Sequence, residues 1–219
     1  MKPIELILRS FFRPFLRYPL PVLAAICAFV FAVLEIHHGD SAHVYFSQYH
    51  NARNFLECLC GISLFIAFDF FCESNRLPLS TRIGLYLLGF CLLGLHSYSI
   101  TAGMFDSEVI YLSRYLIIFV CFHLLVSFLP FYQEQELRAF WQYNYVLFKQ
   151  ILKSLLYSLT LFAGLSSAIF AMDKLFHIPV NTDYFFDLLA FLLLVFNTLF
   201  FLKGIPVSWS DYHQEIDVR

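Results

Sequence analysis

The stretch PLPVLAAICAFVFAVLEI, Pro19–Ile36, decides the fold class. It carries no charge until Glu35. As an α-helix rising about 1.5 Å per residue it is roughly 27 Å long, close to the ~30 Å hydrocarbon core of a bilayer. Residues 1–18 ahead of it are basic and amphipathic, with Lys2, Arg9, Arg13 and Arg17 spaced among Ile4, Leu8, Phe11, Phe12, Phe15 and Leu16. That pattern suits a lead-in lying on an anionic membrane surface. A cleavable signal peptide is the competing reading, since basic residues precede an apolar run and Ser41-Ala42 follows. The run is long for a signal peptide and further apolar segments follow, which favours a retained helix.

Working outward, five more segments read as spans, at about 54–71, 83–100, 115–131, 151–172 and 184–202. The second is interrupted by Glu57 and Asp69. The third follows Pro78-Leu79-Ser80-Thr81, a turn and N-cap signal, and Thr182 or Asp183 is placed to cap the sixth. Of the 14 Lys and Arg residues, only Arg53, Arg114 and Lys174 fall in the loops on one side; the rest fall on the other. By the positive-inside rule both termini are cytoplasmic. The aromatic run Phe140-Trp141-Gln142-Tyr143-Asn144-Tyr145 then sits at the inner interface. The expected architecture is an all-α, polytopic membrane helix bundle: a basic lead-in at 1–18, six transmembrane helices within 19–203 and a cytoplasmic tail at 204–219. Three spans followed by three permit an inverted repeat.

Composition agrees. The chain is 14% charged and 60% hydrophobic, with 28 Phe and a mean hydropathy of +0.70, whereas a soluble domain is about 25% charged. A net charge of −2 excludes the basic balance of a nucleic-acid binder. The polar stretches at 37–53, 132–147 and 203–219 are each too short to bury a core of their own. Five of the six Cys lie inside apolar segments and Cys72 lies at the end of one, which reads as packing. Cys58 and Cys60, about 200° apart around a helix, cannot chelate from one face.

Titratable groups inside a bilayer are costly and mark candidate sites. Glu57, His96 and Asp187 fall roughly 6–8 Å from the outer helix ends and His123 roughly 13 Å. If they face one another they form a polar vestibule open to the outside. If not, Glu57 and Asp187 are carboxylates favoured by helix N-terminal dipoles, and the histidines are satisfied by Ser, Tyr or backbone groups. In the first outer loop His37, His38 and His43 form a weak metal-ligand set beside Glu35, Asp40 and His50, although the spacing matches no defined site. On span five Ala163, Gly164, Ser167 and Ala168 make a small-residue stripe for close helix packing, within the bundle or in a homo-oligomer. No Ser is flanked by the glycines of a nucleophile elbow, and no cofactor-binding motif is present.

The segment 139–206 has the most specific pattern. Phe140-Trp141-Gln142-Tyr143-Asn144, Leu156-Tyr157-Ser158, Leu161-Phe162-Ala163-Gly164-Leu165, Asp173-x-Leu175-Phe176, Phe196-Asn197-Thr198 and Gly204-Ile205-Pro206 follow in order. Together they resemble the bacterial integral-membrane family called domain of unknown function 4153. The resemblance implies a bacterial inner-membrane protein and carries over no catalytic residue. The chain departs from the family pattern at Tyr145, where a basic residue is expected. Family members also continue with further spans beyond the Gly-Ile-Pro turn, so the resemblance implies a short member or a piece of a longer chain. The expected function is a non-enzymatic small-ligand or ion pathway, or an interaction partner for envelope components. The alternative is a membrane-embedded enzyme acting on a lipid-linked substrate from the outer face.

Overall fold

The computed structural model describes residues 13–37, 50–101, 108–132, 137–177 and 179–206. The described residues form helices and no strand. We label the long helices α1 (Pro19–Ile36), α2 (His50–Ser74), α3 (Leu79–Thr101), α4 (Glu108–Phe128), α5 (Leu137–Phe176) and α6 (Asp183–Lys203). All six are long and apolar enough to cross a membrane. The protein is a multi-pass helical membrane protein.

Contacts between helices fix their directions. Arg17, before α1, meets Glu73 near the end of α2, and Arg82 near the start of α3 meets Asp69. At the opposite end His37 meets Asp187, and Glu57 meets His96. Pairs between α2 and α4, or the short turn that follows α4, instead ascend together: Glu57 with Tyr115, Ser63 with His123 and Ser74 with Pro130. Neighbours in sequence are therefore antiparallel and α2 runs parallel to α4. Arg13, Arg82, Ala139 and Lys203 share one end of the bundle, which is the partition expected from the loop charges.

Helix α2 is the centre, with 67% of its apolar window buried, and α1, α3 and α4 pack around it. Helix α6 packs on α1, and α5 packs on α6. The main core joins Tyr18, Val22, Ala67, Phe70, Val126, Tyr143 and Leu199, drawn from five of the helices or their ends. Only 6% of the α5 window is buried. The two halves of the chain thus pack unlike one another: α2 is central, whereas its counterpart α5 is peripheral.

Several helices are longer than the sequence reading sets them. Helix α5 is one continuous helix of 40 residues, so the aromatic run and the fifth span are one element about 60 Å long. Its first turns lie ahead of the span read from the sequence, and a helix of this length exceeds a ~30 Å core. They are helical because Ala139, Tyr143, Leu147, Gln150, Ser154 and Ser158, at steps of three or four, make one continuous buried face. The Tyr143 hydroxyl donates to the Val126 carbonyl at 2.7 Å and ties this segment to the end of α4.

The caps also differ from expectation. Helix α3 starts at Leu79 on the Pro78 carbonyl, which accepts from the amides of Thr81 and Arg82, so Ser80 and Thr81 lie inside the first turn. The Thr182 side chain makes no cap bond; the Asn181 side-chain oxygen accepts from the Asp183 amide at 3.3 Å. Helix α2 ends with Leu77 N–H bonding Cys72 O at 2.9 Å while Arg76 takes φ 51°. This is a Schellman-type stop with Arg where glycine is the usual choice, and Pro78 follows it.

Candidate functional site

The four residues expected to form an outer vestibule separate into three environments. Glu57 on α2 and His96 on α3 do pair, with Oε1 to Nδ1 at 2.8 Å, and the Tyr115 hydroxyl from α4 donates to the same oxygen at 3.1 Å. The His96 ring sits edge-on against Tyr115, their centroids 4.8 Å apart. Both pair members are almost fully buried, at 12% and 8% side-chain exposure, and Glu57 Oε2 and His96 Nε2 have no hydrogen-bond partner among the described residues. Asp187 instead pairs with His37 at 2.8 Å, between α6 and the end of α1. The acceptor raises the His37 imidazole above its ordinary pKa, because the hydrogen bond to Asp187 favours the protonated ring.

Neither carboxylate is explained by a helix N-terminus. Helix α2 begins at His50 and α6 at Asp183, which puts Glu57 and Asp187 beyond the first turn of each. The dipole acts mainly within that turn.

His123 occupies a third environment, nearer the middle of the bundle. Its Nδ1 lies 2.9 Å from the Phe119 carbonyl, which can only accept, so Nδ1 donates there. The Ser63 hydroxyl on α2 lies 3.3 Å from Nε2 and 3.1 Å from Nδ1. The ring is exposed and packs against Phe119 at 4.1 Å.

This histidine lines a cleft of about 440 Å³ between α2, α4, α5 and α6. Its walls are apolar, including Ile66, Leu124 and Phe201, and its polar groups are Ser63, His123, Ser127, Ser154, Asn197 and Thr198. Ser154 donates within its own helix, to Ile151 O at 2.9 Å. The Asn197 carboxamide has no hydrogen-bond partner among the described residues, and its Oδ1 is buried. A π-type turn, Phe191–Phe196, immediately precedes Asn197 and resets the register in which it and Thr198 meet the cleft. Leu124 and Val120, 52% and 47% exposed, stand at the mouth between α4 and α5, so the cleft opens sideways toward the membrane.

Two ion pairs at the opposite end were not read from the sequence. Arg17 grips Glu73 through two bonds of 2.8 and 2.7 Å and donates to the carbonyls of Ile205 and Pro206; Tyr18 also donates to Glu73 at 2.9 Å. Burial and the Glu73 carboxylate push the Tyr18 hydroxyl pKa up, keeping it a donor. Arg82 donates to Asp69 at 2.8 Å, to Tyr86 at 2.7 Å and to the Arg17 carbonyl at 2.7 Å, and Tyr86 also bonds Asp69, which is fully buried. The available signal was Asp69 and Glu73 at i, i+4 near the end of an apolar helix, with Arg17 and Arg82 just outside the flanking spans.

The small-residue stripe is not packed within the chain. Ala163, Gly164, Ser167 and Ala168 are exposed, and a side chain built at Gly164 meets nothing within 4 Å. Buried small residues of this helix lie earlier, at Ser154 and Ser158. Of the metal-ligand set, His37 is taken by Asp187, while His38 and His43 lie outside the described residues. Among the described residues no three His, Cys, Asp or Glu side chains come together as a metal site. No family model matches the chain, and no curated protein or solved structure matches it.

Proposed function

We propose that the protein binds a small amphipathic ligand within the membrane, in the cleft between α4 and α5, with His123 and Asn197 holding its polar part. The observation that carries this is the cleft: about 440 Å³, apolar-walled, open to the bilayer, with an unpartnered carboxamide inside. Ligand sites combine apolar walls with a few orienting polar groups in this way, at volumes of about 300–1,000 Å³. A ligand that donates a hydrogen bond satisfies the buried Asn197 Oδ1, beside the His123 ring. The polar clusters along α2 at Glu57, Ser63 and Asp69 are separated by the buried apolar residues Cys60, Leu64 and Ala67, which favours a ligand pocket over a continuous ion route. We assign the end carrying Arg13 and Lys203 to the cytoplasm on the loop charges. Membership of the family called domain of unknown function 4153, in a bacterial inner membrane, is part of the same proposal and rests on the motifs of segment 139–206.

A fatty alcohol with a photoactivatable alkyl tail tests the pocket. Labelling of the protein in nanodiscs is expected to concentrate on cleft residues and to fall several-fold in Ile151→Trp, which fills the space, and in Asn197→Leu. Labelling spread evenly over the lipid-facing sides of α3 and α5, unchanged in both variants, overturns the proposal.

A further inference from the structure

At the end of the bundle opposite the Glu57–His96 pair, the lead-in before α1 and the last turn of α6 enclose a shallow recess bordered by Arg13, Arg17, Tyr18, Lys203 and Ile205. Its floor is rigid. Arg17 is held by Glu73 and by the carbonyls of Ile205 and Pro206, so its charge is offset and its position fixed. Arg13 and Lys203 are exposed and form no ion pair among the described residues. Two cations without an ion pair among the described residues, from segments nearly two hundred residues apart, thus flank one opening. The interior holds about 10 Å³, room for a single water-sized group. One oxygen of a larger anion can enter while the rest stays at the mouth, between a guanidinium and an ammonium.

We propose that this recess binds the phosphate of an anionic phospholipid headgroup and so pins the lead-in to the end of α6. A lipid is favoured over a free anion by Leu16, which is 86% exposed and one helical turn from Arg13. An apolar side chain there enters the acyl boundary while the cation meets the headgroup, the arrangement of an interfacial helix. The site is independent of the lateral cleft and survives if that cleft binds nothing.

The experiment is native mass spectrometry of lipids retained by the protein from vesicles of mixed phosphatidylglycerol and phosphatidylcholine. Wild type is expected to enrich phosphatidylglycerol, and the double variant Arg13→Gln/Lys203→Gln to lose about tenfold of that enrichment. Both residues are exposed, so the variant is expected to fold, and its thermal unfolding is measured alongside. Arg138→Gln, a basic change at the same end but outside the recess, is expected to leave enrichment unchanged. Equal enrichment in wild type and the double variant overturns the proposal, as does an equal loss in Arg138→Gln, which means diffuse surface charge. Displacement of phosphatidylglycerol by millimolar inorganic phosphate overturns the lipid source in favour of a free phosphate.

Discussion

Arg82 shows what a single charge does at the edge of an apolar bundle. Counted along the sequence it is one more loop cation, yet in the fold its guanidinium serves Asp69, Tyr86 and the Arg17 carbonyl at once. Asp69 is fully buried, and a buried carboxylate left without its cation is strongly destabilising. Arg82→Ala is therefore expected to cost about 3 kcal/mol, read from unfolding in mixed detergent, whereas Asp69→Asn combined with Arg82→Met is expected to recover much of the loss. If the single variant unfolds like wild type, the pair contributes nothing. His37 behaves differently because it is exposed. Its pKa in the fold is raised by Asp187, so the pair's contribution is complete below the ordinary histidine pKa of 6.5 and disappears as pH rises through the higher folded value. An NMR titration is expected to place the His37 midpoint above 6.5 in wild type, and lower in Asp187→Asn. Coincident midpoints in the two proteins remove the contact as a pH-dependent link between α1 and α6.

At the scale of an element, the glycines separate packed positions from open ones. A Cβ on Gly89 of α3 comes within 2.8 Å of Phe65 and 3.2 Å of Phe68 on α2, whereas one on Gly164 of α5 meets nothing. Gly89→Leu is accordingly expected to destabilise the monomer by about 2 kcal/mol or more through overpacking. Gly164→Leu is expected to stay within about 0.5 kcal/mol of wild type. Thermal unfolding of the two variants side by side checks the contrast, and equal losses contradict the packing order in which α3 lies on α2 while the second half of α5 stands apart. Helix existence was legible from apolar runs because each run must satisfy its own backbone inside a bilayer. Helix extent was less so: the start of α5 at Leu137 depends on a buried stripe that begins among polar residues, and charge-free windows do not see it.

Across the whole molecule, the described helices leave one amphipathic cleft facing the bilayer and one basic recess at the end shared by Arg13 and Lys203. The cleft exists because α5 meets α4 at Tyr143–Val126 and in the Phe128–Phe140 stack, while Leu147, Ile151 and Ser154 farther along α5 face His123 across open space. Of its polar residues, only the titratable His123 stood out by its depth in an apolar span. Ser63, Ser127, Ser154 and Thr198 are common in membrane helices, and only their meeting across four elements makes a site.

Hydropathy, charge placement and aromatic placement by themselves determined that this chain crosses a membrane six times as helices and that most of its basic residues gather at one end. These follow from one-dimensional costs: apolar length against bilayer thickness, and the penalty for a charge in hydrocarbon. Which polar groups meet was decided by the tertiary structure alone. Depth along a helix is set by residue count, but the face a side chain presents is set by how helices rotate to pack. For that reason Glu57 found His96, Asp187 turned to His37, and His123 was left in the cleft.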